Sequence, residues 1–184
     1  APARPLRERL GLGDLLGPRS VAIVGASDDP RQPGGRPLAQ LLASGFSGDI
    51  VPVAPGRTVV QGLRALPSLG DLRGIVDAIV LAAGPEEAAD ALRDAAEKRA
   101  KLAILLSAGF GETGTRGAAR EEELRDIARE AGMRLLGPAS AGAAVPASGF
   151  LATAHPWPEA PAAGPGRIGV AAQSGASAAH LARL

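Results

Sequence analysis

The 184-residue sequence contains no cysteine, and only 2% of its residues are aromatic. The missing cysteines exclude disulfides, thiolate metal sites and cysteine nucleophiles in this sequence. So few aromatic side chains leave little surface for stacking on nucleic-acid bases. Twenty basic residues against 19 acidic ones give a net charge of +1. This balance does not indicate a nucleic-acid surface, and we expect no nucleic-acid partner.

Long apolar segments are also missing. No run of about 18 apolar residues occurs, which excludes a membrane-spanning helix in this sequence. Residues 1–16 carry several charges and therefore do not resemble a signal-peptide core. We expect no membrane partner and a cytoplasmic location. The hydrophobic fraction of 46% suits one full domain, or one domain with part of a second.

Lysine is rare as well. Only Lys98 and Lys101 are lysines, the other basic residues being arginine, and alanine is abundant. This composition is typical of a GC-rich genome. An alanine at a position where a polar residue is expected is therefore either compositional drift or a real loss of function.

Apolar runs alternate with helical patterns along the chain. The predicted strands are 21–26, 50–53, 75–83, 102–107, 133–136 and 168–172, and the predicted helices are 37–44, 85–100, 115–131 and 174–184. Strands that are continuously apolar are buried on both faces, and interleaved helices make the sheet parallel. The prediction is an α/β fold with a doubly wound, Rossmann-like parallel sheet.

Four segments are predicted along the chain. Residues 1–14 form an N-terminal extension, 15–145 the Rossmann-like domain, and 146–165 a proline-rich excursion or linker. Residues 166–184 begin the first βα unit of a flavodoxin-like second domain, and the open end of its helix indicates truncation. The alternative is a genuine terminus whose strand completes the first sheet.

The loops that follow the predicted strands are rich in glycine, serine and proline. They include Gly25-Ala26-Ser27, Ala54-Pro55-Gly56-Arg57, Ala83-Gly84-Pro85, Ser107-Ala108-Gly109, Gly137-Pro138-Ala139-Ser140 and Gln173-Ser174-Gly175. Ligands of such folds bind beyond the carboxyl ends of the strands. Small residues let a ligand approach the backbone, so these loops predict a ligand crevice.

The first loop differs from a dinucleotide-binding turn. Gly25 precedes a predicted helix, whose free N–H groups attract phosphate, but no G-x-G-x-x-G follows. The second strand ends before Arg57 rather than before an acid that would hold ribose hydroxyls. Arg57 suits a phosphate on the sugar, as in NADP or coenzyme A. The alternative is an ordinary surface arginine in a turn.

Histidines and acids give weaker signals. We expect structural or surface roles for His155 and His180, and no metal site, because no histidine has carboxylate partners at ligand spacing. The acidic and basic residues of 115–131 form ordinary pairs on a solvated helix face. Glu112 is expected to cap the helix that follows it, the alternative being contact with ligand.

Six segments together match the pattern of a known enzyme family, and these are Leu16–Ser27, Gly45–Gly48, Pro52–Pro55, Ser107–Phe110, Leu136–Pro138 and Gln173–Ala176. Through them the sequence resembles the NDP-forming acyl-CoA synthetases over residues 15–184. The resemblance implies a Rossmann-like CoA-binding domain related to the α subunit of succinyl-CoA synthetase. The family makes acyl-CoA from an acid, CoA and a nucleoside triphosphate through acyl phosphate and a phosphohistidine.

The resemblance also implies roles for particular residues. Gly25, Ala26, Ser27 and Asp28 would line the CoA nucleotide, and Arg57 matches a basic CoA-contacting position. The crevice wall along the pantetheine and its thiol end would be Ala83, Gly84, Pro85, Ser107, Ala108, Gly109, Ala139 and Ser140. Gln173, Ser174 and Gly175 would hold a phosphate at a helix N-terminus. No catalytic residue is assigned, because the family's phosphohistidine lies beyond residue 184.

The sequence departs from the family pattern at several ligand positions. Ala54 and Ala139 replace asparagines, Ala172 replaces a serine, and Ala83-Gly84-Pro85 replaces Val-Pro-Ala. Three functions therefore stay open. The chain is a CoA-binding or acyl-CoA-binding domain of a larger synthetase, a decayed sensor or scaffold module, or an NAD(P)-binding domain. The expected partners are CoA and the remaining domains or subunit of the synthetase, with a homo-oligomer as a further possibility.

Overall fold

The computed structural model describes residues 11–156 and 168–181. The helices are α1 (Leu12–Leu16), α2 (Gly35–Ala43), α3 (Ala88–Glu97), α4 (Thr115–Ala131) and α5 (Gly175–Leu181). The strands are β1 (Ser20–Val24), β2 (Asp49–Val53), β3 (Val59–Val60), β4 (Leu63–Arg64), β5 (Ala78–Leu81), β6 (Leu102–Leu105), β7 (Arg134–Leu136), β8 (Gly142–Val145) and β9 (Phe150–Thr153).

Five strands form one parallel sheet in the order β2-β1-β5-β6-β7. Two antiparallel hairpins, β3-β4 and β8-β9, lie outside it. The connections between the parallel strands carry α2, α3 and α4. The predicted doubly wound, Rossmann-like fold is thus confirmed.

The sheet is buried on both faces, which explains its continuously apolar strands. Alternate residues of one strand enter two different cores: Val21 and Ile23 pack with α2, whereas Ala22 packs with α3 and α4. Every residue of β5 and β6 is buried. A strand covered by helices on both sides has no polar face, so hydrophobic alternation is absent.

The helix predictions differ from the structure mainly at the ends. Helix α4 spans Thr115–Ala131 as predicted, and Gly132 closes it in the left-handed conformation at φ +66°. Helix α2 begins two residues before the predicted 37–44 and ends one residue earlier. Helix α3 is shorter than the predicted 85–100, and residues 85–87 form a turn before it.

The β8-β9 hairpin replaces part of the predicted linker. Residues 146–148 form a short 3-10 turn, and all four residues of β9 are buried. The Phe150 ring lies 6.0 Å from that of Phe46, and Gln40 Nε2 donates to the Thr153 carbonyl oxygen at 2.8 Å. Over 146–153 the chain is therefore an ordered excursion that is buried against α2, and residues 157–165 of the predicted excursion or linker lie outside the described residues.

The segment predicted as the last strand is irregular. Residues 168–172 form no strand, and Ile168 is 88% exposed. A strand needs a neighbour to complete its hydrogen bonds, and none of the described strands pairs with it. The prediction of a strand at 168–172 was wrong, as was the alternative in which it completes the first sheet. Helix α5 lies within the predicted 174–184, of which residues 182–184 lie outside the described residues, and the second domain stays a prediction.

Asp77 joins three strands at the amino ends of the sheet. Its side chain accepts a hydrogen bond from Arg19 N–H at 2.9 Å and pairs with Lys101 Nζ at 3.0 Å. The Ser20 hydroxyl oxygen accepts the Asp77 N–H. Burial raises the pKa of Asp77, but the Arg19 and Lys101 donors outweigh it, and the net pKa lies below the ordinary value.

The other lysine is also a structural group at this end of the molecule. Lys98 Nζ donates to the carbonyl oxygens of Gly70 and Leu72 at 2.8 and 2.7 Å. These bonds connect the 69–72 turn to the end of α3.

Within the described residues, no helix has the length and apolarity needed to cross a membrane.

Replacing Asp77 with asparagine is expected to lower the free energy of unfolding by about 1–3 kcal/mol, since it breaks a buried charged hydrogen-bond group. The lowered pKa adds a pH dependence. The folded-state pKa is depressed, so this stabilisation is present above the unfolded-state value near 3.8 and is lost as pH falls through the folded-state pKa. Urea unfolding from pH 7 to pH 3 measures both effects.

The matched control for this experiment is Asp126→Asn, which removes a carboxylate that pairs with Arg129 on the exposed face of α4. Its free energy of unfolding should change by less than about 0.5 kcal/mol. Two results would contradict the role given to Asp77. One is an equal loss of unfolding free energy in the two variants, and the other is a loss of stability at low pH in Asp77→Asn that matches that of the parent.

Candidate functional site

The sheet has a topological switch point between β1 and β5. Renumbering its five strands along the chain gives the order 2-1-3-4-5, so the connections leave β1 on one side and β5 on the other. In such sheets the crevice opens beyond the carboxyl ends of the strands at this point. The loops after Val24 and after Leu81 flank it.

The loop after β1 is built on Gly25, whose φ is +81°. The N–H groups of Gly25 and Ala26 both donate to the Val53 carbonyl oxygen, at 3.0 and 3.1 Å. A Cβ on Gly25 would lie 3.2 Å from the backbone of Ala82. Glycine is thus favoured both by the left-handed backbone and by the close approach to the loop after β5.

The start of α2 presses against this first loop. A Cβ on Gly34 would lie 2.0 Å from the Gly25 carbonyl oxygen, and one on Gly35 would lie 2.0 Å from that of Asp29. Both distances exclude any side chain. Gly34 and Gly35 were not identified from the sequence, although two adjacent glycines before a helix are a visible signal of close packing.

Arg57 forms an ion pair with Asp28 across the nucleotide end predicted from the sequence. Its Nη1 lies 3.0 Å from Asp28 Oδ2, and 64% of the arginine side chain is exposed. The other carboxylate oxygen accepts the Gln61 N–H at 2.8 Å. The structure therefore brings Asp28 and Arg57 together, but it pairs the predicted phosphate-binding cation with an acid.

Gln61 holds the β3-β4 hairpin against the first loop and was not identified from the sequence. Its Nε2 donates to the carbonyl oxygens of Ser27 and Gly35, at 2.8 and 2.9 Å. Gln61 and Gly62 occupy a two-residue turn with φ of +47° and +82°. Positive φ at both positions is typical of a tight hairpin turn, for which Gln-Gly between valine and leucine is a weak signal.

The loops after β5 and β6 are joined directly. The Ser107 hydroxyl donates to the Ala83 carbonyl oxygen at 2.5 Å. A Cβ on Gly109 would lie 2.7 Å from Pro85 Cγ. Gly84 and Ala108 belong to the same two loops, and Ala108 is exposed. The structure thus places these predicted wall residues side by side.

Glu112 closes the loop after β6 rather than capping α4. Its carboxylate accepts the Gly109 N–H at 2.5 Å and the Phe110 N–H at 3.1 Å. The Gly109 N–H contributes most to lowering the pKa of Glu112 below its ordinary value. The predicted cap was wrong: Gly114 precedes α4 without a side-chain cap, and the carboxylate turns back toward its own loop.

The loop after β7 completes the row. The Ala139 N–H donates to the Ser107 carbonyl oxygen at 2.9 Å, and the Ser140 N–H donates to that of Leu105 at 3.0 Å. Ala139 is exposed and has a φ of +51°, in the left-handed region that alanine rarely adopts. Its backbone therefore suits asparagine or glycine better than alanine.

The predicted phosphate-binding residues lie beside this last loop. A Cβ on Gly175 would lie 2.1 Å from Ala141 Cβ and 3.4 Å from His155 Cδ2. The Ser174 hydroxyl oxygen accepts the Ser177 N–H at 3.2 Å, so it caps α5. Gln173 precedes this cap in an exposed bend. The structure brings the segment next to the β7 loop, and its phosphate role stays a prediction.

Charge at the site is confined to its rim. Asp29 and Arg31 form a two-pronged pair with contacts of 2.9 and 3.0 Å, and the Arg31 hydrogen bonds lower the pKa of Asp29. In the described part of the chain, no group of three or more histidines or acids is placed to hold a metal. The buried side-chain polar atoms described there all have partners. A ligand in the crevice would therefore contact mainly backbone N–H and carbonyl groups and the charged side chains at the rim.

Comparison with known proteins gives consistent matches. A family model described as "CoA binding domain" matches residues 19–146. The acetate–CoA ligase [ADP-forming] II of Archaeoglobus fulgidus is 34% identical over 89% of this chain. A trans-feruloyl-CoA synthase from an unknown prokaryotic organism is 38% identical over 91% of it. The chain spans 24% of the length of each of these two relatives.

Among solved structures, PH0766 from Pyrococcus horikoshii OT3 superposes on 94% of this chain with a TM-score of 0.83 and 31% identity. The match covers 38% of that protein. The structural similarity extends beyond the residues matched by the family model, since it includes almost the whole chain.

Replacing Gly35 with alanine is expected to destabilise the fold by about 1–3 kcal/mol, because the new methyl group would overlap the Asp29 carbonyl oxygen. Gly70→Ala is the control, since its Cβ would meet only Ser68 Oγ at 3.4 Å. Urea midpoints of the two variants measure the difference. A Gly35 variant as stable as the Gly70 variant would show that the first loop can move away from α2.

Replacing Ala139 with asparagine is expected to raise the free energy of unfolding by about 1 kcal/mol, because asparagine tolerates the left-handed backbone. Ala139→Val should lower it by about 1 kcal/mol or more, since a β-branched residue is strained there. Thermal unfolding compares the two variants with the parent. Shifts of the same sign in both variants would contradict the strain attributed to Ala139.

Proposed function

The chain belongs to the CoA-binding domain family, and we propose that coenzyme A or an acyl-CoA lies across the crevice at the carboxyl ends of its strands. The observation that carries this proposal is the continuous row of loops described above. Contacts join each loop to the next, from Arg57 after β2 to Ala139 and Ser140 after β7.

The row of loops fits a long, flexible ligand with one nucleotide end. Gly25, Ala108 and Ala139 are exposed and carry at most a methyl group, so a ligand can approach the backbone along the row. A pantetheine arm is narrow and offers amide groups that pair with such backbone. The exposed cation Arg57 stands at one end only, which suits a nucleotide there.

We place the nucleotide at the β1 and β2 end and the thiol at the β7 end. Gly25, Ala26, Ser27 and Asp28 line the nucleotide in this arrangement. The pantetheine follows Ala83, Gly84 and Pro85, and then Ser107, Ala108 and Gly109. The thiol reaches Ala139 and Ser140, which lie beside the segment of Gln173, Ser174 and Gly175 through the Ala141 contact.

A longer protein containing this domain is proposed to be an NDP-forming acyl-CoA synthetase. Two relatives are named as an ADP-forming acetate–CoA ligase and a feruloyl-CoA synthase, which share thioester formation. In that reaction the thiol of CoA attacks the acyl carbon of an acyl phosphate, and phosphate leaves. The close approach of Gly175 to Ala141 supports this arrangement, because it would bring a phosphate held at 173–175 next to the thiol end. Other domains or a second subunit would supply the rest of the catalytic machinery.

A decayed sensor or scaffold module is the second candidate. The left-handed Ala139 favours it, because the residue type there does not suit its backbone. An NAD(P)-binding domain has less support, since no acid follows β2 in the loop 54–57. A cytoplasmic location and a homo-oligomer stay predictions.

Calorimetric titration of the full 184-residue chain with CoA tests the proposal. We expect a dissociation constant of about 1–100 µM, typical of a modest binding free energy. Ala108→Trp should weaken binding at least about tenfold, because an indole at this exposed position blocks the crevice wall. Ala119→Trp places the same side chain at an exposed position on α4 and should bind CoA as the parent does.

Two results would overturn the proposal. The first is absence of CoA binding by the parent chain up to millimolar concentration, which would favour the scaffold module. The second is equal CoA affinity in the two tryptophan variants, which would place the ligand elsewhere. NADP binding tighter than CoA binding would favour the dinucleotide alternative.

A further inference from the structure

Asp28 connects the first loop to two other parts of the site. Its Oδ2 accepts a hydrogen bond from Arg57 Nη1 at 3.0 Å, and its Oδ1 accepts the Gln61 N–H at 2.8 Å. Both carboxylate oxygens are thus engaged by groups that follow β2. The acid stands directly beside the cation to which the sequence assigns a phosphate.

The position of Asp28 is fixed by the neighbouring hairpin turn. The Gln61 amide donates to the carbonyl oxygens of Ser27 and Gly35, on either side of the loop that carries Asp28. Gly35 in turn packs closely on the same loop, since a Cβ there would lie 2.0 Å from the Asp29 carbonyl oxygen. These contacts fix the loop. A ligand that separated Arg57 from Asp28 would therefore leave the Asp28 carboxylate close to its present position.

A phosphate at Arg57 would therefore approach a fixed negative charge. The ion pair itself is half-exposed and exchanges easily in water, so it alone is a small barrier. The carboxylate repels a phosphate dianion at close range even after its arginine has turned away. A ribose hydroxyl is a hydrogen-bond donor, and a carboxylate is the group that accepts it in many nucleotide sites.

We propose that Asp28 is a specificity-determining residue that cancels the preference for a 3′-phosphate that Arg57 would otherwise give. The chain then binds coenzyme A and dephospho-coenzyme A with similar affinity, because repulsion of the phosphate by Asp28 offsets its attraction by Arg57. This inference rests on the proposed CoA crevice and concerns only its nucleotide end. It changes the role of Arg57 from a phosphate receptor to a partner of Asp28.

The test compares the affinities for CoA and dephospho-CoA by calorimetry on the full chain. We expect the two dissociation constants of the parent to agree within about threefold. Asp28→Asn keeps an acceptor for the Gln61 N–H but removes the charge, and it should make CoA bind about tenfold tighter than dephospho-CoA. Asp28→Ser provides a second neutral side chain and should show the same preference.

Two further variants separate the local effect from general charge. Arg57→Gln in the Asp28→Asn background should abolish the new preference, because the cation that binds the phosphate is lost. Asp71→Asn removes an exposed carboxylate that accepts the Ser68 hydroxyl far from the crevice, and its two affinities should remain equal within about threefold.

The results distinguish this inference from the proposed function. A parent chain that binds CoA at least about tenfold tighter than dephospho-CoA overturns the role of Asp28. So does an unchanged ratio in both Asp28 variants, although CoA binding itself would then still support the crevice. Absence of binding by either ligand to the parent and to all variants overturns the crevice and the inference together.

Discussion

Burial of the parallel sheet on both faces is the constraint from which the candidate site follows. Because α2 and the β8-β9 hairpin cover one face while α3 and α4 cover the other, a ligand has access only to the strand ends. Parallel strands bring all their carboxyl ends to one edge, where the connecting loops meet. Where several loops meet closely, small residues fit best. The architecture therefore accounts for these small residues as well as for the apolar strands.

The loops form a site because they are tied to one another as well as to the sheet. Ser107 joins the β5 and β6 loops, the Ala139 N–H joins the β6 and β7 loops, and Gln61 joins the hairpin to the first loop. The crevice thus has a defined shape with few polar side chains, and recognition falls to backbone groups and to the charged pairs at its rim.

The sequence predicted the architecture and the row of loops because these depend on local patterns. Continuous apolar runs mark buried parallel strands, and the 115–131 helix has both a charged face and a closing glycine. The β9 strand packs on α2, and the Gln61 side chain bonds to Ser27 and Gly35. Both depend on partners distant in sequence, which no local pattern reveals. For residues 168–172 the local pattern was misleading. Their apolar composition suits a strand, but no described strand pairs with them.

The distribution of lysine would have a chemical consequence if the proposed crevice binds a thioester. The sequence has no cysteine, and its only two lysines are Lys98 and Lys101. Both lie at the amino ends of the strands, where they bond to the 69–72 turn and to Asp77. An acyl-CoA in the crevice would therefore meet neither a side-chain thiol nor a side-chain amine. With such a ligand, the arginine-rich composition would protect this domain from acylation of its own side chains, because guanidinium groups stay protonated and are poor nucleophiles.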